Sequence, residues 1–290
     1  MNMRIAGLLI LMICLSLNVD AQSRSKKKKV SYGKGTLFGY WGYNRSAYTK
    51  SDLHLIGSGY DFTLKNATAH DNQSKQFADY VDLGNITVPQ FNGRIGYYFK
   101  NHYAISFGYD HMKYIFGDGN RVLLDGTIRA GIDTIWSGTY NDEPVITDRE
   151  HFHYENSNGL NYLHFEVMRS DMLYRTKNTM FAISTNFGLG AGGLLSFNDF
   201  TFGQKKDMVT ISMSGYALSG HASLRFEFFN HLFLQSELSG GFMHQLHVKT
   251  RPSDPTAYAK QRYGYVMGHA VIGFFLYLKP TNSCNTCPKW

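Results

Sequence analysis

The sequence predicts an antiparallel up-and-down transmembrane β-barrel with eight strands. Three observations predict it: apolar and polar residues alternate in segments of about 11–18 residues, aromatic residues crowd the segment ends, and the connections alternate between short and long. The composition agrees, since 290 residues include 29 Gly, only 6 Pro, 21 Phe and 20 Tyr. This profile is typical of many strands with tight turns and argues against a disordered chain.

The first 34 residues precede the predicted barrel. Residues 1–21 form a predicted secretory signal peptide, in which a basic residue, Arg4, precedes a short apolar run and a small-residue cleavage site ends at Ala21. Residues 22–34 form a basic periplasmic arm that supplies five of the seven net positive charges, through Arg24 and residues 26–29. We expect a solvated leader, or a contact with an anionic surface. Nucleic acid is not expected as a partner, because the remaining body carries no basic stripe.

Eight strands follow within residues 35–278, the predicted outer-membrane barrel. Their expected bounds are 35–45, 89–100, 102–115, 159–174, 179–192, 214–229, 231–248 and 261–278. The clearest alternation extends from Tyr216 to Phe228, where the even positions carry no charge and the odd ones include Arg225 and Glu227. Such alternation gives a strand one apolar and one polar face.

Four connections at one end are expected to be long, over residues 46–88, 116–158, 193–213 and 249–260. The first two contain strand-like runs of their own, so we expect either strand extensions beyond the membrane or a ten-stranded barrel. A soluble sandwich or lipocalin-like barrel would direct the apolar face inward. The difference in connection length favours the membrane protein, with both termini in the periplasm.

Several segments of the chain resemble a known class of protein. Residues 41–52, 59–64, 94–99 and 107–114 are similar to an uncharacterised family of small outer-membrane β-barrel proteins of Bacteroidota, in the OmpA-type size class. The resemblance covers most of the mature chain. It implies the barrel fold and a location in the bacterial outer membrane, and it implies no reaction.

The polar faces of the strands contain charged residues that we expect to form an interior polar network. Burying unpaired charges costs free energy, so these side chains should pair within a filled lumen. We expect Arg225 to pair with Glu237 or Glu166. The alternative is a narrow gated channel or proton path. The network residues are Arg94, Asp110, His164, Glu166, His221, Arg225, Glu227 and Glu237, together with Asn186, Gln235 and His269.

Two sets of residues suggest chemistry of other kinds. His221 and Ser223 resemble the His-x-Ser pair of lipid A deacylase barrels, with Glu227 or Glu237 as the carboxylate that orients the base. Leu224, Arg225 and Phe226 replace the residues that follow that motif, and the pair belongs to the expected inner face. His151, His153 and Glu155 share one face of an extended segment, and two such histidines can share a metal ion. A site needs three or four ligands, for which Asp118 and Asp148 are the possible loop partners, and we expect ordinary polar loop residues instead.

Residues 279–290 form a predicted periplasmic tail, in which Cys284 and Cys287 are expected to form a small disulfide loop. The sequence thus predicts a non-enzymatic outer-membrane barrel with a structural or accessory role, as a single protein or as a subunit of a larger envelope complex. A narrow channel and a hydrolase are the alternatives. Expected partners are outer-membrane lipid, lipopolysaccharide and other envelope proteins, and no cofactor or metal is expected.

Overall fold

A computed structural model describes residues 31–74, 76, 78–82, 84 and 89–278. The predicted signal peptide, most of the basic arm, and the tail with Cys284 and Cys287 lie outside the described residues. Among the described residues, no helix is both long enough and apolar enough to cross a membrane.

The structure contains thirteen strands and one short helix over the described residues. They are β1 (Thr36–Tyr48), β2 (Ser51–Gly57), β3 (Tyr60–Ala67), β4 (Ala69–His70), α1 (Ala78–Val81), β5 (Phe91–Lys100), β6 (Tyr103–Phe116), β7 (Arg121–Ile128), β8 (Gly138–Ile146), β9 (His153–Arg175), β10 (Phe181–Phe202), β11 (Lys205–Phe228), β12 (Leu232–Lys249) and β13 (Tyr258–Tyr277).

Eight of the strands close into a ring of antiparallel neighbours. The order is β1-β5-β6-β9-β10-β11-β12-β13, and β1 pairs with β13 along its whole length, from Thr36 opposite Tyr277 to Tyr48 opposite Tyr265. These eight strands correspond to the eight that the sequence predicts, so the up-and-down barrel is confirmed. The expected strand extensions are present, and the ring does not have ten strands.

The two faces of the barrel wall differ as the alternation predicts. Along β13, Val266, Ile272, Phe274 and Leu276 are 46–58% exposed on the outside, while Gln261 and His269 are buried inside. The other ring strands show the same pattern. A closed barrel with a continuous apolar outer face is the arrangement that spans a membrane, because every backbone polar group is paired within the ring.

Three short turns join ring strands at one end of the barrel, which we call the short-turn end: residues 101–102, 176–180 and 229–231. The chain also enters β1 and leaves β13 at this end. The opposite, long-loop end carries the connections 49–90, 117–152, 203–204 and 250–257.

One predicted long loop is wrong. Residues 193–213, expected to form a connection, are the continuation of β10 and β11, which are 22 and 24 residues long. Only Gly203 and Gln204 join them, and both have positive φ, 60° and 58°. Two consecutive residues with positive φ form the tight hairpin turn whose twist matches its strands. The alternation fades because two bulges interrupt the pairing of these strands.

The sheet of the barrel extends beyond the ring at the long-loop end. At Tyr258–Lys260, β13 pairs with β2 instead of β1, and the sheet continues in the order β2-β3-β7-β8. We call these four strands the cap. β8 is the outermost strand of the cap, and its free edge contains Asp142, Glu143 and Pro144. Charged residues and proline protect an exposed edge from pairing with another chain.

The interior contains two apolar clusters. The larger lies at the long-loop end, where side chains of the cap, such as Phe62, Leu64 and Leu124, pack with upper ring residues such as Tyr114 and Tyr263. The smaller lies at the short-turn end. Its members are Phe38, Tyr40, Tyr98, Ala104, Met168, Phe233, Val271 and Phe275.

Candidate functional site in the barrel interior

Between the two apolar clusters, the interior is polar and charged. Inward positions on all eight ring strands supply polar side chains, because alternate residues of each strand face the lumen; on β1, Tyr40 donates its hydroxyl to Glu237 Oε2 at 3.4 Å. All eight residues of the predicted network are buried, with relative exposures of 1–8%. They are Arg94, Asp110, His164, Glu166, His221, Arg225, Glu227 and Glu237.

Arg94 on β5 lies at the centre of an ion cluster. Its Nη1 donates to both oxygens of Glu166, at 3.1 and 3.0 Å. The same nitrogen lies 3.5 Å from Glu237 Oε1, and Nη2 lies 4.0 Å from Asp110 Oδ1. The guanidinium also lies over the ring of Tyr40, 5.3 Å from its centroid. One arginine therefore joins carboxylates from β6, β9 and β12.

Three histidines surround this cluster. His221 Nδ1 is 2.9 Å from Glu166 Oε2, and His164 Nε2 is 3.1 Å from Asp110 Oδ2. His269 lies 2.8 Å from the hydroxyl of Ser239 and 3.9 Å from Glu237. The imidazoles connect each carboxylate to a second strand, so the cluster crosses the lumen.

Small residues make room for two of these rings. A Cβ atom at Gly108 would lie 2.3 Å from His164 Nε2, and one at Gly188 would lie 2.4 Å from His221 Cε1. Glycine at these inward positions thus allows each imidazole to lie against a neighbouring strand.

The buried charges do not balance without the histidines. Two arginines, Arg94 and Arg225, share the interior with Asp110, Glu166, Glu227 and Glu237. Unpaired buried charge is costly, so the imidazoles supply the remaining hydrogen bonds or positive charge. The charges around Arg94 thus lie beside opposite charges or imidazoles, although Arg94 Nε and Arg225 Nη2 are buried without a hydrogen-bond partner among the described residues.

Arg225 does not form the ion pair that the sequence predicts. Its Nε donates to Gln235 Oε1 at 2.7 Å, and Gln235 in turn donates to Glu237 at 2.7 Å. The guanidinium lies among three aromatic rings of the smaller apolar cluster, 4.3 Å from the centroid of Phe233 and 5.4 Å from those of Phe38 and Phe275. These cation–π contacts take the place of a carboxylate partner.

Glu227 also lies apart from the Arg94 cluster. Its Oε1 accepts a hydrogen bond of 2.6 Å from Ser184 on the neighbouring strand β10. The predicted network is therefore not one connected group, because this carboxylate belongs to the short-turn end of the lumen.

The geometry does not form the hydrolase pair. Ser223 is buried on the inner face and its hydroxyl accepts a hydrogen bond from Asn186 Nδ2 at 2.9 Å. His221 is bound to Glu166 instead, and no hydrogen bond joins it to Ser223 among the described residues. A serine nucleophile needs its base within hydrogen-bond reach and access to substrate, and neither condition is met.

The aromatic side chains that fill the short-turn end of the lumen were not predicted from the sequence. Phe233 lies two residues before the inward Gln235, and Phe275 lies an even number of residues after the inward His269, which is the signal that places both rings on the inner face. The same holds for Tyr162, which stacks on His164 with the ring centroids 4.3 Å apart.

The loop histidines lie at the long-loop end and have separate partners. His153 Nε2 is 2.6 Å from Glu155, and His151 Nε2 is 2.8 Å from Asp133. Burial alone would raise the pKa of Glu155, but hydrogen bonds from His153 and Ser157 lower it to about 2. Within the described part of the chain, no three potential ligands are placed to hold a metal ion.

Comparisons with known proteins identify structural similarity only. No protein-family model and no curated protein matches the sequence. The structure is similar to OprG of Pseudomonas aeruginosa, with 8% identity, a TM-score of 0.42, and coverage of 85% of this chain and 98% of that chain. The N-terminal barrel domain of Pseudomonas aeruginosa OprF has 11% identity, a TM-score of 0.34, and coverage of 84% and 99%.

The attachment invasion locus protein Ail of Yersinia pestis is also similar, with 12% identity, a TM-score of 0.30, and coverage of 84% of this chain and 99% of that chain. All three are outer-membrane barrel proteins. The resemblance to an uncharacterised Bacteroidota family stays a prediction.

Proposed function

We propose that this protein is a closed, non-enzymatic barrel of the bacterial outer membrane that anchors the cap at the cell surface and has a structural or accessory role in the envelope. The observation that carries the proposal is the filled lumen. Apolar clusters occupy both ends, and the paired charges of Arg94, Glu166 and Glu237 lie between them.

The orientation belongs to the same proposal. The short-turn end faces the periplasm and the long-loop end faces the outside, because barrels of this class have short periplasmic turns and longer outer loops. Both ends of the described chain then lie on the periplasmic side. The cap, which connects to β13, is the surface that meets partners outside the cell.

The first experiment is gel mobility of the protein from isolated outer membranes, with and without boiling, after crosslinking in intact cells. A band that shifts only on boiling supports the barrel. If the same partners appear in every crosslink, the protein is a subunit of a complex, and a single species favours an independent role. A protein that remains soluble in the periplasm and shows no shift would overturn the proposal.

A narrow channel is the second candidate, favoured by the charged middle layer around Arg94. Planar-bilayer recording separates the two. The closed barrel predicts no steady current in the wild type, because aromatic rings fill the short-turn end. A current that changes in the Arg225→Gln variant would replace the closed barrel with the channel.

A further inference from the structure

The outer face of β12 and β13 carries a cluster of basic side chains near the long-loop end. Arg262 and His244 are directly paired across the two strands, and such partners lie about 5 Å apart at their Cβ atoms. Lys260 follows on the same face of β13, two residues away. His244 Nδ1 is 3.2 Å from the hydroxyl of Tyr216 on β11.

The charges of this cluster form no ion pair among the described residues, although the Lys260 ammonium lies over the ring of Tyr258, 5.3 Å from its centroid. Arg262 and Lys260 are exposed, and neither forms an ion pair with a described residue. His54 on β2 pairs with Lys260, and the carboxylate that lies against His54, Asp61, is 2.6 Å from its Nε2. The cluster therefore presents free positive charge on the outer wall.

The position of the basic cluster along the barrel axis, relative to the apolar band, identifies the layer of the membrane that surrounds it. On β13 the exposed apolar residues extend from Leu276 to Val266, and ten residues of a tilted strand rise about 25 Å, the height of the apolar band of such barrels. On β13, Arg262 lies four residues beyond Val266, the last exposed apolar residue of that strand, or about 10 Å further along the barrel axis. Exposed apolar residues continue to Leu246 on β12 and Met213 on β11, so Arg262 lies where the apolar band ends and the lipid headgroups of the long-loop end begin.

The outer surface of the barrel has a shallow groove between the basic cluster and the short-turn end. Cross-strand pairs on the same face contain a small residue each: Phe242 with Gly264, and Leu238 with Gly268. Leu238, Gly240 and Val266 line a shallow groove there. An acyl chain can therefore lie close to the wall beneath the basic residues.

We propose that Arg262, Lys260 and His244 bind a phosphate group of lipopolysaccharide in the outer leaflet. Charge complementarity selects this occupant, since a phosphorylated glycolipid places its anionic groups beside the wall at this level. The inference rests on the orientation proposed above, and it goes beyond that function by naming a ligand and its site.

The test measures binding of diphosphoryl lipid A and of dephosphorylated lipid A to the folded protein in detergent by native mass spectrometry. Wild type should prefer the phosphorylated lipid. The Arg262→Gln/Lys260→Gln variant should lose about thirtyfold in affinity for it, or about fivefold for each basic residue near an anionic lipid. Inorganic phosphate as competitor separates a lipid site from a general anion site.

The matched control is Arg121→Gln/Lys206→Gln, which removes the same charge from exposed positions on other strands. It should bind like wild type. Equal losses in both double variants, equal binding of the two lipids, or full displacement by inorganic phosphate would overturn the proposal. A heat-dependent gel shift in each variant shows that the barrel is folded. A wild type that lacks this shift contradicts the proposed function instead.

Discussion

Replacement of Arg94 tests whether the charges in the lumen are stabilised by pairing with each other or by contact with water. Arg94 is only 4% exposed and contacts three carboxylates, of which Glu166 is the closest. Arg94→Leu leaves these carboxylates without their common partner. Removal of one partner from a buried ion pair costs about 3–5 kcal/mol, and we expect a loss in that range in the free energy of unfolding.

The assay is equilibrium unfolding in urea from lipid vesicles, with the heat-dependent gel shift as the measure of folded protein. Lys65→Gln is the control, because Lys65 pairs with Asp125 and Asp142 on the exposed surface of the cap, where ion pairs contribute little. Adding Glu166→Gln to Arg94→Leu should recover part of the loss, since it removes one of the unpaired charges.

A loss below about 1 kcal/mol in Arg94→Leu, similar to that of an exposed pair, would refute the reasoning. It would mean that water reaches the carboxylates and replaces the arginine. That result would also favour the channel over the closed barrel.

Three further predictions concern the wall, the cap and the loops. Gly108→Ala should lower the free energy of unfolding by about 1–3 kcal/mol because its Cβ meets a histidine ring, whereas Gly93→Ala, with open space around it, should be nearly neutral in the same urea assay. Leu64→Ala should cost the cap about 2–5 kcal/mol, seen as faster protease cleavage outside the membrane while the heat-dependent shift persists; Ile146→Ala, at an exposed position, should not change the cleavage rate. Glu155 stabilises the start of β9 and the loop before it above the pKa of an unfolded glutamate, about 4.3, and this contribution should fade as the pH falls towards about 2. Glu155→Gln should flatten that part of the pH profile of protease resistance, and an unchanged profile would contradict the role of this carboxylate.

The ring of strands was predictable because a half-buried strand shows its two faces in the sequence. Tyr216 to Phe228 alternates without interruption, and β11 follows it in the structure. The extension of β10 and β11 was not predictable in the same way. A bulge at Ser214 of β11, where Leu194 pairs with Gly215 and Leu195 with Met213, changes the phase of alternation, so the continuing strand resembles an irregular loop.

The alternation also predicts which side chains face the lumen, but not the level of each along the barrel axis. Arg225 lies opposite Gln235 and Ser184 in the register, whereas Glu166 lies opposite Gly190, at a different level. That level depends on the stagger between strands, which only the paired barrel fixes. The predicted partner of Arg225 was therefore wrong although the face was right. The cap could not be predicted for a similar reason. Its strands β3 and β7 pair across some sixty residues of intervening chain, and local alternation does not reveal such a pairing.

The double use of β13 has a consequence for biogenesis. This strand closes the ring against β1 and, a few residues further along, provides the edge on which β2 and the rest of the cap are built. Residues 51–67 are translated long before β13, yet they have no template until it is in place. Assembly of the cap therefore waits for insertion of this strand. With the orientation proposed above, an antibody that recognises only the folded cap would report, in living cells, which molecules have completed their barrels.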